Sequence, residues 1–236
     1  MKNTPASLHA DAHHEHIPAL CVSHVPVFNH LSPEALTVIS NKARMRDYER
    51  GQFIHRAGES SDSLFIVHTG RIKVYRLAET GKEQLVRILE PGDFAGELAL
   101  FSSSSHDSYA QAMQASQVCT IRQVDLRELL LQYPDISLHM LAELSRRLDT
   151  SEKQTAAIAT ASINARLAQY LAGLAQQEGS AEFSLPMSRR HLASFLGTTP
   201  ETVSRRLGEF EAAGWIRQSG QRKITIQDLD ALLSLD

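Results

Sequence analysis

The chain is poor in cysteine, carries no strong excess of basic charge, and has no long apolar run. Two cysteines in 236 residues, Cys21 and Cys119, are too few for a disulfide scaffold of the secreted kind. No apolar stretch approaches the length of a membrane span, and the N-terminus lacks the charged-then-apolar layout of a secretory signal. These absences point to the cytoplasm, where a cysteine pair is more often redox-active or metal-binding than structural. The net charge of −3 excludes a generally basic nucleic-acid coat protein. A composition 42 % hydrophobic and 22 % charged excludes disorder, and the length fits one large domain or two ordinary ones.

The basic charge is local. Residues 183–225 hold seven arginines and lysines against three glutamates, a positive excess confined to one end of the chain. Within it, Ser188 is a good N-cap for a helix through His191, Leu192, Phe195 and Leu196, and Gly197 supplies the stop. Thr199 caps a second helix with Pro200 at its first position. Val203, Leu207 and Phe210 form one buried stripe on that helix, while Glu201, Ser204, Arg205 and Gly208 form the opposite face. Two helices joined at a glycine turn make a helix-turn-helix unit. Arginine forks onto guanine, glutamate accepts from cytosine, and serine is permissive. Trp215–Arg217 and Lys223–Ile226 then read as two strands about a Ser219-Gly220 turn, a wing that brings Arg222 and Lys223 to a phosphate backbone. Arg189, Arg190 and Arg206 complete the expected DNA-facing set.

Upstream, residues 1–19 read as a mobile, histidine-rich tail with His9, His13, His14 and His16, and metal binding is its sharper alternative. Residues 20–133 read as one β-rich domain. A helical entry capped by Ser32 leads into short strand patterns at residues 51–55, 63–68, 71–75 and 84–89, each bounded by glycine turns, as in an all-β barrel or jelly roll. Residues 134–161 form one long helix. Leu141, Leu144, Leu148, Ser151, Thr155 and Ile158 alternate in steps of three and four, a heptad seam that either packs on the chain's own β domain or, as the favoured reading, meets a second copy, weakly at the polar Ser151 and Thr155. A dimer gives a reader with one recognition helix its second half-site. Residues 162–236 form the winged helix-turn-helix.

This order, with Gly92-Asp-Phe-Ala-Gly-Glu-Leu-Ala-Leu in the roll and Glu201-Thr-Val-Ser-Arg-Arg-Leu in the second helix, resembles the CRP/FNR family of bacterial transcription regulators over residues 20–236. The resemblance implies an α+β architecture: an N-terminal double-stranded β-helix of the cyclic-nucleotide-binding type, a dimerisation helix and a C-terminal winged helix. It implies double-stranded DNA and RNA polymerase as partners, a homodimer, and no enzymatic activity. Cyclic-nucleotide sensors of the family follow their Gly-Glu with an arginine some ten residues later; here Asp107 stands at that position, and a carboxylate repels a cyclic phosphate. Cys21 and Cys119 resemble two of the four cysteines of the oxygen-sensing branch. The other two have no counterpart, so a 4Fe–4S cluster lacks half its thiolates.

What remains resembles the two-cysteine FNR-like proteins, which implies a dithiol switch joining Cys21 to Cys119. Two buried, inert cysteines are one alternative. Another is zinc or iron held by Cys21 and Cys119 with histidines such as His16, His24 or His30. Haem on the same fold is a third. Glu201, Ser204 and Arg205 match the FNR-type pattern Glu-x-x-Ser-Arg, which implies TTGAT-N4-ATCAA sites; the cyclic-AMP type differs at the positions of Pro200 and Ser204. Ser151 stands where the oxygen sensor has a repelling aspartate, which makes a constitutive dimer plausible. A cupin-type metalloenzyme is disfavoured, because His55, His68 and His106 are isolated and the roll has no His-x-His.

Overall fold

The computed structural model describes residues 22–23, 25–60, 62–97 and 105–235, leaving aside the side chains of residues 154 and 158. Cys21, His16, His24 and the N-terminal tail lie outside the described residues.

Helix α1, Pro33–Lys42, begins as its sequence demands: the Ser32 hydroxyl accepts from the amide of Ala35, and Pro33 occupies the first helical position. Eight strands follow: β1 (Arg44–Tyr48), β2 (Phe53–His55), β3 (Ser63–Thr69), β4 (Ile72–Leu77), β5 (Glu83–Leu89), β6 (Phe94–Ala95), β7 (Tyr109–Ala112) and β8 (Ser116–Arg122). They form two antiparallel four-stranded sheets, ordered β1-β8-β3-β6 and β2-β7-β4-β5, closed on each other as a roll. The roll interior is small and aliphatic, with Val67, Ile72, Val74, Leu89, Ala110 and Val118.

Strand β8 is buried on both faces. Val118 points into the roll, and its neighbour Cys119 points the other way, into a second core. That core joins the β1-β8-β3 sheet to the first described residues and to helices α2 (Gln123–Gln132) and α3 (Pro134–Thr160). Val22, Val25, Phe28, Ile39, Ile121, Leu129 and Ile136 fill it, each within 1 % of complete burial. Full burial of such side chains contributes about 1.5–3 kcal/mol apiece. Pro134 ends one helix and opens the next, because it cannot donate to α2 yet fits the first turn of α3.

Helix α4 (Ile163–Glu178), capped by Ser162 and stopped by Gly179 in the left-handed region, opens the C-terminal domain. Strand β9 (Glu182–Ser184), helices α5 (Arg189–Phe195) and α6 (Pro200–Ala212), strands β10 (Ile216–Ser219) and β11 (Lys223–Ile226) and helix α7 (Leu229–Leu233) complete it. The wing has three strands, ordered β10-β11-β9. The sequence pattern gives no sign of β9, whose three residues show only one buried side chain, Phe183, too short a run to register.

The two domains share a core. Leu85 and Ile88 of β5 pack among Leu167, Leu171, Leu192 and Phe210 of the C-terminal domain. Around this contact the Ser194 hydroxyl accepts from the amide of Leu85 at 2.7 Å and donates to the carbonyl of Glu83 at 2.6 Å. Gln84 Nε2 donates to the Ser194 carbonyl at 2.6 Å, and Arg71 Nη1 to that of Pro186 at 3.1 Å. Because β5 is the edge of its sheet, Ser194 covers polar backbone that would otherwise lie open.

On α3, Leu138, Leu141 and Leu148 are exposed. Leu144, expected on the same seam, is half-buried and lines a cavity between helix and roll. The exposed apolar stripe therefore runs through Leu138, Leu141 and Leu148, with Ser151 and Thr155 exposed beyond it; the side chain of Ile158 lies outside the described residues. Among the described residues, no helix is long and apolar enough to cross a membrane.

Candidate nucleic-acid interface and sensor cavity

The helix-turn-helix is built by its caps. The Ser188 hydroxyl accepts from the amide of His191, and α5 ends at Gly197, whose φ of +70° a side chain would resist. The Thr199 hydroxyl accepts from the amide of Thr202, and Pro200 opens α6. Val203, Leu207 and Phe210 are buried as the stripe predicts. On the outer face Glu201, Arg205 and Gly208 are exposed, and Ser204 is half-buried. Arg166 of α4 braces the turn, donating Nη1 to the carbonyl of Leu196 at 2.6 Å.

The basic residues divide into two groups. Arg190, Arg205 and Arg222 have exposed side chains at the surface, Arg205 with only a loose 3.9 Å approach to Glu209. The others are engaged. Arg206 pairs with Glu209 at 2.6 Å, and Lys223 with Glu182 of the unforeseen strand β9 at 2.5 Å. Arg189 is half-buried and donates to Gln218 on β10. A phosphate must compete with these partners for Arg206 and Lys223, although exposed pairs are weak rivals at about 0–1 kcal/mol.

A cavity of about 450 Å³ lies between the β2-β7-β4-β5 sheet and α3. Its charges are matched. Glu97 Oε1 accepts from Arg87 and Arg147 at 3.4 Å each, Glu143 takes Arg146 and Arg147 at 2.7 Å, and Arg76 pairs with Asp107. Arg147 also donates to the Phe94 carbonyl at 3.1 Å and lies over the Phe94 ring at 4.1 Å. Burial pushes the Arg87 guanidinium below its ordinary range, against the pull of Glu97.

At one wall His55 and His106 stack with ring centres 3.7 Å apart. Burial first, and the neighbouring His106 second, lower His55 to about 4, so it is neutral at physiological pH. His55 Nδ1 and Glu97 Oε2 are buried without a hydrogen-bond partner among the described residues. The sequence offered no signal for this histidine pair, since strands β2 and β7 bring together residues far apart in the chain.

Cys119 is disulfide-bonded and 1 % exposed, set in the core that also holds Val22, Val25, Ile136 and Met140. Among the described residues no group of three or more histidine, cysteine, aspartate or glutamate side chains could hold a metal ion. They supply one cysteine sulfur, so by themselves they fit neither an iron–sulfur cluster nor a tetrahedral zinc site.

Comparison with known proteins follows this division of the chain. A family model described as a cyclic nucleotide-binding domain matches residues 45–133, and one described as a Crp-like helix-turn-helix domain matches residues 165–235. A probable transcriptional regulator, flp, of Lacticaseibacillus casei is 37 % identical over 89 % of this chain and 96 % of its own. The chain belongs to the CRP/FNR family. Its members are transcription regulators, not enzymes, and this protein is accordingly a DNA-binding transcription regulator. The fumarate and nitrate reduction regulatory protein of Salmonella typhimurium is 32 % identical over 81 % of this chain and 78 % of its own. Among CRP/FNR structures, FixK2 from Bradyrhizobium japonicum superposes with a TM-score of 0.72 at 26 % identity, covering 82 % of this chain and 97 % of that one. The cavity lies between the matched cyclic nucleotide-binding domain and α3, and among its lining residues Asp107 pairs with Arg76.

Proposed function

We propose that the protein is a homodimeric regulator that reads TTGAT-N4-ATCAA sites, with its DNA affinity set by thiol–disulfide exchange between Cys21 and Cys119. The observation that carries this reading is the state of Cys119: disulfide-bonded, and packed against both the first described residues and the start of α3. Cys21 is the partner that this reading gives it. Forming the S–S bond removes two protons and two electrons from the two thiols, passed to an oxidant such as a low-molecular-weight disulfide, which leaves as two thiols. The bond ties residue 21 to β8, so the packing of Val22 and Val25 on Ile136 and Met140 differs between the two states. Helix α3 carries that difference to the paired recognition helices.

The exposed Leu138, Leu141 and Leu148 support dimerisation along α3, and a two-fold dimer suits a palindromic site. Glu201, Ser204 and Arg205 read bases, with Thr199 at the helix start; Arg190 and Arg222 meet phosphates, joined by Arg206 and Lys223 as they exchange their carboxylate partners. RNA polymerase is the further partner, in the cytoplasm. A cyclic nucleotide is not the effector in this reading, because each cavity arginine already faces a carboxylate.

The test is anaerobic purification, metal analysis and titration against a TTGAT-N4-ATCAA duplex before and after mild oxidation, with the disulfide mapped by mass spectrometry. A change in affinity of about tenfold or more, about 1.4 kcal/mol, that disappears in Cys119→Ser supports the switch. Cysteines that stay reduced while stoichiometric zinc, iron or haem governs binding overturn it, and no binding in either state removes the half-site assignment as well.

A further inference from the structure

At the wing, three polar side chains form a chain that links three elements. Arg189, at the first position of α5, donates Nη2 to Gln218 Oε1 at 2.8 Å. Gln218, on β10, donates Nε2 to Glu211 Oε2 at 2.9 Å and its own backbone N–H to Glu211 Oε1 at 2.7 Å. Glu211 belongs to the last turn of α6. Strand β10 is the edge of its sheet, so the Gln218 amide turns outward and finds its acceptor on the recognition helix rather than on β11. Gln218 thus uses both ends of its side-chain amide, the oxygen toward Arg189 and the nitrogen toward Glu211. A residue lacking either function cannot hold both neighbours.

We infer that Gln218 is a positioning residue for DNA binding, locking the wing, Arg189 and the recognition helix into one rigid surface. Three consequences follow from the geometry. The separation between the base-facing start of α6 and the phosphate-facing wing is fixed before DNA arrives, so little ordering remains for the encounter. Arg189 is aimed, not neutralised: Gln218 is an uncharged acceptor, and the guanidinium keeps its charge and its remaining donors for a phosphate. The Glu211 carboxylate, which would repel phosphates if it swung outward, is held by two donors. This inference rests on reading α6 and the wing as the DNA surface, and it goes beyond that reading in assigning Gln218 its role.

The test uses the full-length protein and a duplex selected by the wild type from a random pool. An error in the TTGAT assignment then shows in the selected sequence and leaves the measurement intact. Affinity is followed against salt concentration, with phosphate-ethylation interference on the same duplex. Gln218→Leu is expected to weaken binding on the order of tenfold and to lower the salt slope by about two, the loss of one phosphate contact in each half-site of the dimer, while base preference stays as in the wild type. Interference should vanish at the phosphate that Arg189 faces in each half-site and persist at those facing Arg222 and Lys223. Gln218→Glu sets two carboxylates together and should bind more weakly still.

The exchanged pair Gln218→Glu with Glu211→Gln keeps the charge and every donor–acceptor match. In it the carboxylate now on β10 accepts from Arg189 and from the amide now on α6, so affinity should recover well above that of Gln218→Glu alone, short of the wild type because Arg189 then faces a carboxylate. A role confined to folding would lower the melting temperature without moving the slope of the folded protein. A wild-type slope and interference pattern in Gln218→Leu would overturn the inference. So would an exchanged pair that folds, by circular dichroism, yet binds no better than Gln218→Glu alone.

Discussion

Replacing Ser194 by alanine tests how firmly the winged helix is seated on the roll. The hydroxyl accepts from the Leu85 amide at 2.7 Å and donates to the Glu83 carbonyl at 2.6 Å. Leu85 is 2 % exposed, so water cannot reach its amide freely once the hydroxyl is gone. Each hydrogen bond contributes about 0.5–1.5 kcal/mol, and a buried group left unpaired costs about 1–3 kcal/mol. With one buried donor and one partly covered acceptor orphaned, the expected loss is about 2–3 kcal/mol. For a chain of this length that corresponds to roughly 4–12 °C in melting temperature. The loss falls on the junction and not inside either domain. Calorimetry should therefore show one cooperative transition in the wild type, split or broadened in Ser194→Ala as the domains melt separately. Ser194→Cys, with a weaker donor and acceptor of similar shape, should fall between the two. A shift under about 1 °C with an unsplit transition would show that the hydroxyl does not hold the domains together.

Other perturbations give equally definite expectations. Leu148→Asp sets a charge on the exposed stripe of α3 and should convert dimer to monomer in sedimentation velocity, with melting of the roll unaffected; an unchanged sedimentation coefficient would move the dimer contact elsewhere. His55 titrates near 4 in the fold against an ordinary 6.5. The unfolded chain alone binds the proton between those values, so stability is complete above about pH 6.5 and falls as pH drops toward 4, by about 2 kcal/mol after allowing for partial solvent access. Urea unfolding of His55→Gln across that range should lack this part of the slope, and an identical pH profile would refute the assignment. Gly96→Ala forces a side chain into φ +87° and drives its Cβ to 2.3 Å from the Ser63 carbonyl oxygen, which should cost about 2–4 kcal/mol in chemical unfolding. A change below about 0.5 kcal/mol would mean that β3 gives way at no expense.

Local chemistry was legible in the sequence, and encounters between distant segments were not. Ser188, Gly197, Thr199 and Pro200 announced both helices of the reading unit because caps act within a turn of themselves. The roll strands showed through their glycine boundaries for the same reason. The seam of α3 was half legible: Leu141 and Leu148 face outward, but Leu144 turns toward a cavity that exists only once helix meets roll. Lys223 and Arg189 read as open cations, yet Glu182 meets the first through the β9–β11 pairing and Gln218 meets the second where β10 packs by the start of α5, encounters no local pattern encodes. The His55–His106 stack depends likewise on β2 lying beside β7. In β5, Leu85 and Ile88 showed only that they are apolar, and apolarity does not say which domain will bury a side chain.

Strand β5 also bears on how separable the two halves are. A polypeptide beginning at residue 162 would contain every cap, helix and strand of the winged unit, yet lack the two side chains that complete its interior. Its surface would open a gap the shape of Leu85 and Ile88, floored by Leu192 and its neighbours, together with a serine hydroxyl stripped of both partners. Such a piece would self-associate or borrow a strand from elsewhere. Any exchange of the N-terminal domain for another would therefore have to carry along, or replace, this one edge strand.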